Sequence, residues 1–270
     1  MLKFTSLLAC ALSALAFTVN SFATTVQFQT SHGDIEVILF DEKTPKTVEN
    51  FLQYVNEEAY EDSVIHRSVK NFVIQGGGFN LTENVTLNPI TTHPQVTNEA
   101  YYSNIRATIS MAKRGGQPNS ATSQWFFNLG NNSANLDYAN GGYTVFGQVI
   151  GDGMATIDAI AALSIEDVDA ETGGTGIGKE VPLQDYDESS QSKPSSDNFV
   201  TIYNVIVTDA AVNNAGELEV QPRKIEPRAA APLPTPTKSG GAINTAWFIQ
   251  LLMFMAAATA LRSKKPKPSH

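Results

Sequence analysis

SVIHRSVKNFVIQGGGF, residues Ser63 to Phe79, is the stretch on which the reading of the fold turns. Val64, Val69, Phe72, Val73 and Ile74 are β-branched or aromatic, the composition of a half-buried strand pair. Gly76, Gly77 and Gly78 then mark a bend or a close approach of two backbones. Arg67 and Gln75 lie inside this apolar run, so a fixed cation and an amide donor/acceptor are held near an apolar surface. Most charged residues face water. Taken alone, the stretch therefore also suits an Arg in a surface ion pair and a Gln at a sheet edge.

Working outward, residues 26–30 and 34–40 alternate apolar and polar and are joined by Ser31-His32-Gly33, the signature of a hairpin. Thr44-Pro45 has the order of a helix cap followed by a first helical residue. Val48, Phe51, Leu52 and Val55 then recur at helical spacing. Residues 80–97 are polar, contain Pro89 and Pro94, and read as loop. Alternation returns over 105–112, an aromatic strand follows at 123–129, and another strand at 143–149. Asp152 can cap a second helix with Met154, Ile157, Ile160 and Leu163 on one face. The acidic, Gly/Ser-rich stretch 166–197 reads as a mobile loop, and residues 199–207 close the domain as a strand. Seven or eight strands with two helices and mostly short connections suit an antiparallel barrel with helices over its open ends.

Both ends of the chain differ from this middle. Residues 1–23 have a basic start, an apolar run and Ser21-Phe22-Ala23, which reads as an export signal peptide. The single cysteine, Cys10, lies within it, so cleavage after Ala23 leaves no thiol chemistry. Residues 24–210 form one domain's worth of chain. Residues 211–241 read largely as a Pro/Ala-rich linker. Residues 242–261 have the length and apolarity of a membrane span, and residues 262–270 form a basic tail expected to stay cytoplasmic. Gly240-Gly241, the apolar segment and the basic end together resemble C-terminal sorting signals that are cleaved. A retained anchor and a cleaved one are both open.

Charge and motif content exclude several classes. Residues 24–210 carry 24 Asp and Glu against 9 Lys and Arg, which argues against a nucleic-acid partner, since phosphate binding needs a cationic surface. The four histidines, His32, His66, His93 and His270, lack metal-ligand spacing. No GxSxG elbow is present. Residues 173–180 nearly spell a phosphate loop, but Glu180 stands where Mg²⁺ needs a hydroxyl and no apolar strand precedes it. Asp167, Asp169 and Glu171 imitate a calcium loop, with Thr172 in place of its glycine. No cofactor and no metal is expected.

Several segments in order resemble the cyclophilin family of peptidyl-prolyl isomerases, in particular its bacterial periplasmic branch. Ile65-His66-Arg67 and Phe72-Val73-Ile74-Gln75-Gly76-Gly77-Gly78-Phe79 match that family's FHR…GFM-QGG-F pattern. Ser110-Met111-Ala112, the run 120–127, Leu136-Asp137 and Val145-Phe146-Gly147 follow with agreeing spacing. The resemblance implies a mainly β fold, a closed eight-stranded antiparallel β-barrel capped by two α-helices, with the active groove on an outer face. It implies Arg67, Gln75 and Phe72 as catalytic residues. Val73, Ala112, Gln124, Phe126, Leu136 and Tyr143 would bind substrate. The implied partners are proline-containing unfolded or exported polypeptides, with a membrane contact only through the C-terminal segment, and the protein acting as a monomer. A non-catalytic proline-binding module or chaperone at the membrane is the alternative. Three departures from the family pattern stand out. Val73 replaces the usual Met, and Asn135 stands where cyclosporin-sensitive members carry Trp. Lys113-Arg114 is expected to make the loop after Ala112 cationic.

Overall fold

The structure is a computed structural model and describes residues 23–174, 176–186, 193–212 and 224–225. β1 (Ala23–Thr30) and β2 (Gly33–Leu39) form the expected hairpin, with Thr30 opposite Gly33. There follow α1 (Pro45–Asn56), β3 (Ser63–Val64), β4 (Arg67–Val69), β5 (Val73–Gly76), β6 (Phe79–Leu81), β7 (Leu87–Pro89), β8 (Thr108–Met111) and β9 (Trp125–Asn128). The short α2 (Ser133–Leu136), β10 (Val145–Ile150), α3 (Gly153–Ala161), β11 (Ser164–Glu166), β12 (Val181–Leu183) and β13 (Thr201–Val212) complete the order.

Among the described residues eleven strands hydrogen-bond into one mixed-length antiparallel sheet, in the order β4-β5-β9-β8-β10-β2-β1-β13-β3-β6-β7, while β11 and β12 pair separately. The protein is thus mainly β with few helices, as the sequence implies. The sheet is curled, with more and shorter strands than the eight expected, and β4 and β7, at the two ends of the order, do not pair with each other. The chain changes partners inside the opening stretch. β3 pairs with β13, whereas β4, only two residues later, pairs with β5. Ile65 N donates to Val200 O at 3.0 Å and His66 N to Gln75 O at 3.1 Å, so the chain crosses from one neighbour to the other between them.

The concave side holds the main core. Phe28, Phe51, Tyr54, Tyr60, Trp125, Phe127 and Phe146 are its fully buried aromatic rings among the described residues. Phe28 meets Trp125 and Phe127 edge-on, with centroids 4.9 and 5.5 Å apart, a favoured arrangement of ring quadrupoles. α1 adds Val48, Phe51, Tyr54 and Val55, and α3 adds Ile157 and Ile160, so both expected helices bury the expected face. The start of α1 is satisfied in an unexpected way. Thr44 donates its hydroxyl back to Phe40 O, and the carboxylate of Glu99 accepts from the Lys46 and Thr47 amides. An anion there also suits the helix dipole.

Gly77 shows why the glycine run follows β5. Its φ is +72°, and an added Cβ would lie 2.5 Å from Trp125 Nε1 and 2.8 Å from Ser123 O. Left-handed backbone alone costs a non-glycine residue about 1–2 kcal/mol, and the overlap with a core indole adds to it. Gly77→Ala is therefore expected to lower unfolding free energy by about 2 kcal/mol or more in urea titration. A change under about 0.5 kcal/mol would contradict this packing.

Two segments expected to be loop are built. Residues 80–97 contain part of the β6–β7 hairpin, with Phe79 opposite Pro89, because Phe79 and Leu87 have an apolar surface to cover. The described residues of 166–183 are packed instead of forming a bare loop. Val168, Val181 and Leu183 are buried with Val64, Phe79, Leu87 and Phe199 in a second core. Asp169, suspected of imitating a calcium ligand, instead accepts from Gly178 N at 3.2 Å.

At the ends, Ala23 pairs with Val212, so β13 runs two residues past the expected boundary at 210. Lys224 bridges to Tyr102 and Ile225 N donates to Tyr101 O at 3.0 Å, within the expected linker. The rest of the expected export segment and of the expected linker, with the apolar segment 242–261 and the basic tail 262–270, lie outside the described residues. Among the described residues no helix is long and apolar enough to cross a membrane.

Candidate active site

Strand alternation separates two faces of the β5–β9 pair. Ile74, Trp125 and Phe127 point into the main core, while Val73 and Phe126 belong to a separate apolar cluster with Leu136 and Tyr143. Successive strand residues face opposite sides, so this cluster lies on the outer face of the sheet. Phe72, Ala112 and Ala139 pack against it and are partly exposed. Phe126 and Tyr143 meet edge-on at 5.8 Å. Six residues expected from the sequence to form one surface, Phe72, Val73, Ala112, Phe126, Leu136 and Tyr143, are together here.

The polar residues stand at the edge of that cluster. Arg67 faces Gln75 across β4–β5, and Gln75 faces Phe126 across β5–β9. The side chains of Arg67 and Gln75 nevertheless have different partners. Gln75 Nε2 donates to Gln124 Oε1 at 2.8 Å. Gln124 lies over Gly78, where a Cβ would come within 2.9 Å of its amide, and its backbone carbonyl accepts from Ala112 N at 2.9 Å. Arg67 Nε donates to Glu180 Oε2 at 2.7 Å. Its Nη1 is buried and makes no hydrogen bond among the described residues.

Beneath the cluster runs a buried polar network that the sequence reading missed. Asn132 Nδ2 donates to Phe72 O and Asn128 Oδ1, and Asn128 Nδ2 donates to Thr108 Oγ1. Asn104 receives the Ser110 hydroxyl and donates to Asp137 Oδ1 and Tyr143 O. Asn104 and Asn128 are fully buried. A satisfied network of this kind fixes a unique arrangement, here of the backbone carrying Phe72, Leu136 and Tyr143. Nothing in the local sequence marks these residues, since their partners lie up to 60 positions away.

Lys113 corrects the expectation of a cationic loop. It is buried, with Nζ bonded to Asn98 Oδ1, Asn140 O and Gly142 O and lying 4.8 Å from the Tyr143 ring centroid. Burial lowers its ammonium pKa to about 8. The charge is directed inward, where it ties the 98 and 140–142 segments to the floor under Tyr143. Burial also raises the Tyr143 phenol, an effect that the Asn140 side chain partly opposes.

A fixed cation beside an apolar floor, with amides along one wall, can bind a ligand and polarise it without forming a bond to it. That defines a noncovalent site on the outer face of a curled β-sheet. The family model described as Cyclophilin type peptidyl-prolyl cis-trans isomerase/CLD matches residues 25–184, well over half of the chain. The chain belongs to this family and is a peptidyl-prolyl cis-trans isomerase. It is 38% identical over 168 residues to peptidyl-prolyl cis-trans isomerase B of Escherichia coli, covering 59% of this chain and 93% of that one. It is 42% identical over 164 residues to peptidyl-prolyl cis-trans isomerase A of Dickeya dadantii, covering 58% and 83%. An isomerase of Acinetobacter baylyi is 38% identical over 182 residues, covering 65% and 89%.

Proposed function

We propose that the outer-face cluster receives the proline ring of an extended polypeptide and that Arg67 is its electrostatic catalyst. An X–Pro bond resists rotation by roughly 18–20 kcal/mol because amide resonance makes it partly double. Uncatalysed exchange takes tens to hundreds of seconds. In the twisted state the nitrogen regains its lone pair and becomes a hydrogen-bond acceptor. A guanidinium aimed at that nitrogen favours the twisted amide over either planar one, which is the differential binding that lowers a barrier. Val73, Phe126, Leu136 and Tyr143 form the floor for the ring, Phe72 a wall, and Gln75 holds the neighbouring carbonyl. Ala112 and Gln124 line the groove for the residues before proline. The observation that carries this reading is that Arg67 stands at the edge of one compact apolar cluster, on the opposite face from the core. A protease-coupled proline-peptide assay on wild type and Phe126→Ala tests it. KM should rise about tenfold or more from the loss of a buried ring contact; an unchanged KM would remove the cluster from the substrate site.

The cell-envelope setting rests on the sequence. Residues 1–23 would direct export, and residues 242–270 would tether or sort the protein, so its clients are exported polypeptides. Mass spectrometry of the mature C-terminus distinguishes a retained anchor from a cleaved one.

Asn135 is exposed beside buried Leu136. An amide there offers no indole to cover a large cyclic peptide. Cyclosporin should therefore inhibit the isomerase only at micromolar concentrations, and nanomolar inhibition would contradict the reading of this rim.

A further inference from the structure

Arg67 is held by a segment that lies outside the strand order carrying the rest of the site. Glu180, 113 residues further along the chain, accepts from Arg67 Nε at 2.7 Å. The two residues also form an isolated parallel bridge, and Ser68 N donates to Glu180 O at 2.8 Å. Glu180 is therefore placed twice, through its backbone along β4 and through its carboxylate on the guanidinium.

The segment that delivers this carboxylate is braced. Val168 N donates to Gly178 O at 2.7 Å and Gly174 N to Asp169 O at 2.6 Å. Asp169 Oδ1 accepts from Gly178 N, and the Thr172 hydroxyl donates to Val168 O. Immediately after Glu180, Val181 and Leu183 are buried against Val64, Phe79, Leu87 and Phe199. The acidic stretch thus closes on itself and packs onto the sheet on both sides of Glu180. On the other side of the bond, the Arg67 side chain is 18% exposed, and its Nη1 is buried without a hydrogen-bond partner among the described residues.

A guanidinium is a planar fork on a flexible stem. Fixing Nε sets the plane of the fork, and with Nη1 buried the donor left for a ligand is Nη2. The same carboxylate also weakens the positive field at the groove, so two opposite effects compete. Displacements of about 1 Å at a reacting centre can cost on the order of 100-fold in rate, which outweighs partial screening of a charge that remains in place. We propose that Glu180 is a positioning residue: it aims Arg67 at the prolyl nitrogen, and the packed residues 166–174 and 176–183 are the strut that holds it there. This rests on Arg67 being the electrostatic catalyst.

The test compares full-length wild type, Glu180→Ala, Glu180→Gln and Arg67→Ala, reading kcat and KM separately and the Arg67 Nε–H resonance by ¹H–¹⁵N NMR. Because Ser68 N bonds the Glu180 backbone, side-chain truncation leaves that anchor intact, and melting temperature checks the fold. Glu180→Ala is expected to lower kcat about tenfold with KM within twofold, and to lose the exchange-protected Nε–H signal. Glu180→Gln retains an oxygen acceptor of the same reach, and should recover at least half of the lost rate together with the signal. A kcat for Glu180→Ala within twofold of wild type, beside an inactive Arg67→Ala, would overturn the positioning role and leave the catalyst intact. A rise in kcat in both Glu180 variants would show damping instead of aiming, and an equal fall in both would show that the acceptor does not restore the aim. Either overturns the proposal. An active Arg67→Ala would overturn the reading beneath it.

Discussion

Arg67→Ala should lower kcat/KM for a proline peptide by about 10²–10³-fold while leaving the protein folded. The magnitude is that of removing one preorganised donor from a site where charge redistributes in the transition state. Arg67 makes its side-chain bond at the rim of the sheet, to a Glu180 that is 32% exposed. Its loss therefore leaves neither a cavity in the main core nor a fully buried carboxylate. Melting temperature should shift by only a few degrees, and peptide binding should persist, because the apolar floor is untouched. Arg67→Lys should recover little. An ammonium keeps the charge but lacks the planar fork that lets one edge bond Glu180 while another faces the ligand. If the Ala variant retained more than about a tenth of the wild-type rate, the electrostatic role would belong elsewhere.

Acid should destabilise the fold through His66, the neighbour of Arg67. His66 is 4% exposed and packs edge-on against Phe79 at 4.9 Å. Burial pushes its pKa from 6.5 down to about 4. Arg67's charge adds to the depression, while the Val64 backbone and the Gln124 side chain oppose it. A base depressed on folding binds fewer protons in the native than in the unfolded state between those two values. Stability then rises with pH in that window. The His66 contribution is complete above about pH 6.5 and is lost as pH falls to about 4, below which it changes no further. At 1.36 kcal/mol per unit, the loss is about 3 kcal/mol. Urea titrations from pH 7 to 4 should show it in wild type but not in His66→Leu, so the difference between the two isolates this residue from the carboxylates. Parallel curves for the two proteins would mean that His66 is hydrated and titrates normally.

The parts of this protein written in local pattern were readable from the chain. The β1–β2 hairpin, the buried faces of α1 and α3, and the aromatic β9 all follow from alternation or helical spacing. The apolar cluster was legible because its members sit in motifs of fixed order. What pairing over long separations decides was not legible. Ile65 and His66 carry no mark of the switch that takes the chain from its β13 neighbour to its β5 neighbour. Thr44 looks like a cap by type, yet Glu99, far along the chain, bonds the first amides of α1. Lys113 looks exposed in a polar loop until three carbonyl-type oxygens converge on it. The largest miss was Glu180. Glycine, serine and acid over 166–197 read as loop by composition, and the near-match to a phosphate loop drew attention to what Glu180 could not do. Only Val181 and Leu183, two apolar residues flanking Pro182 and directly after Glu180, hinted that this segment returns to the sheet.

The central claim is that this groove accelerates rotation of a bound X–Pro bond through Arg67, and exchange NMR on the complex tests it most directly. With a labelled proline peptide at saturating protein, cis and trans resonances of the bound peptide should interconvert on the millisecond scale for wild type, against tens of seconds free. With Arg67→Ala, the peptide should bind with similar affinity and show no exchange cross-peaks. Persistent cross-peaks in that variant, or a wild-type complex that binds without exchange, would contradict the account.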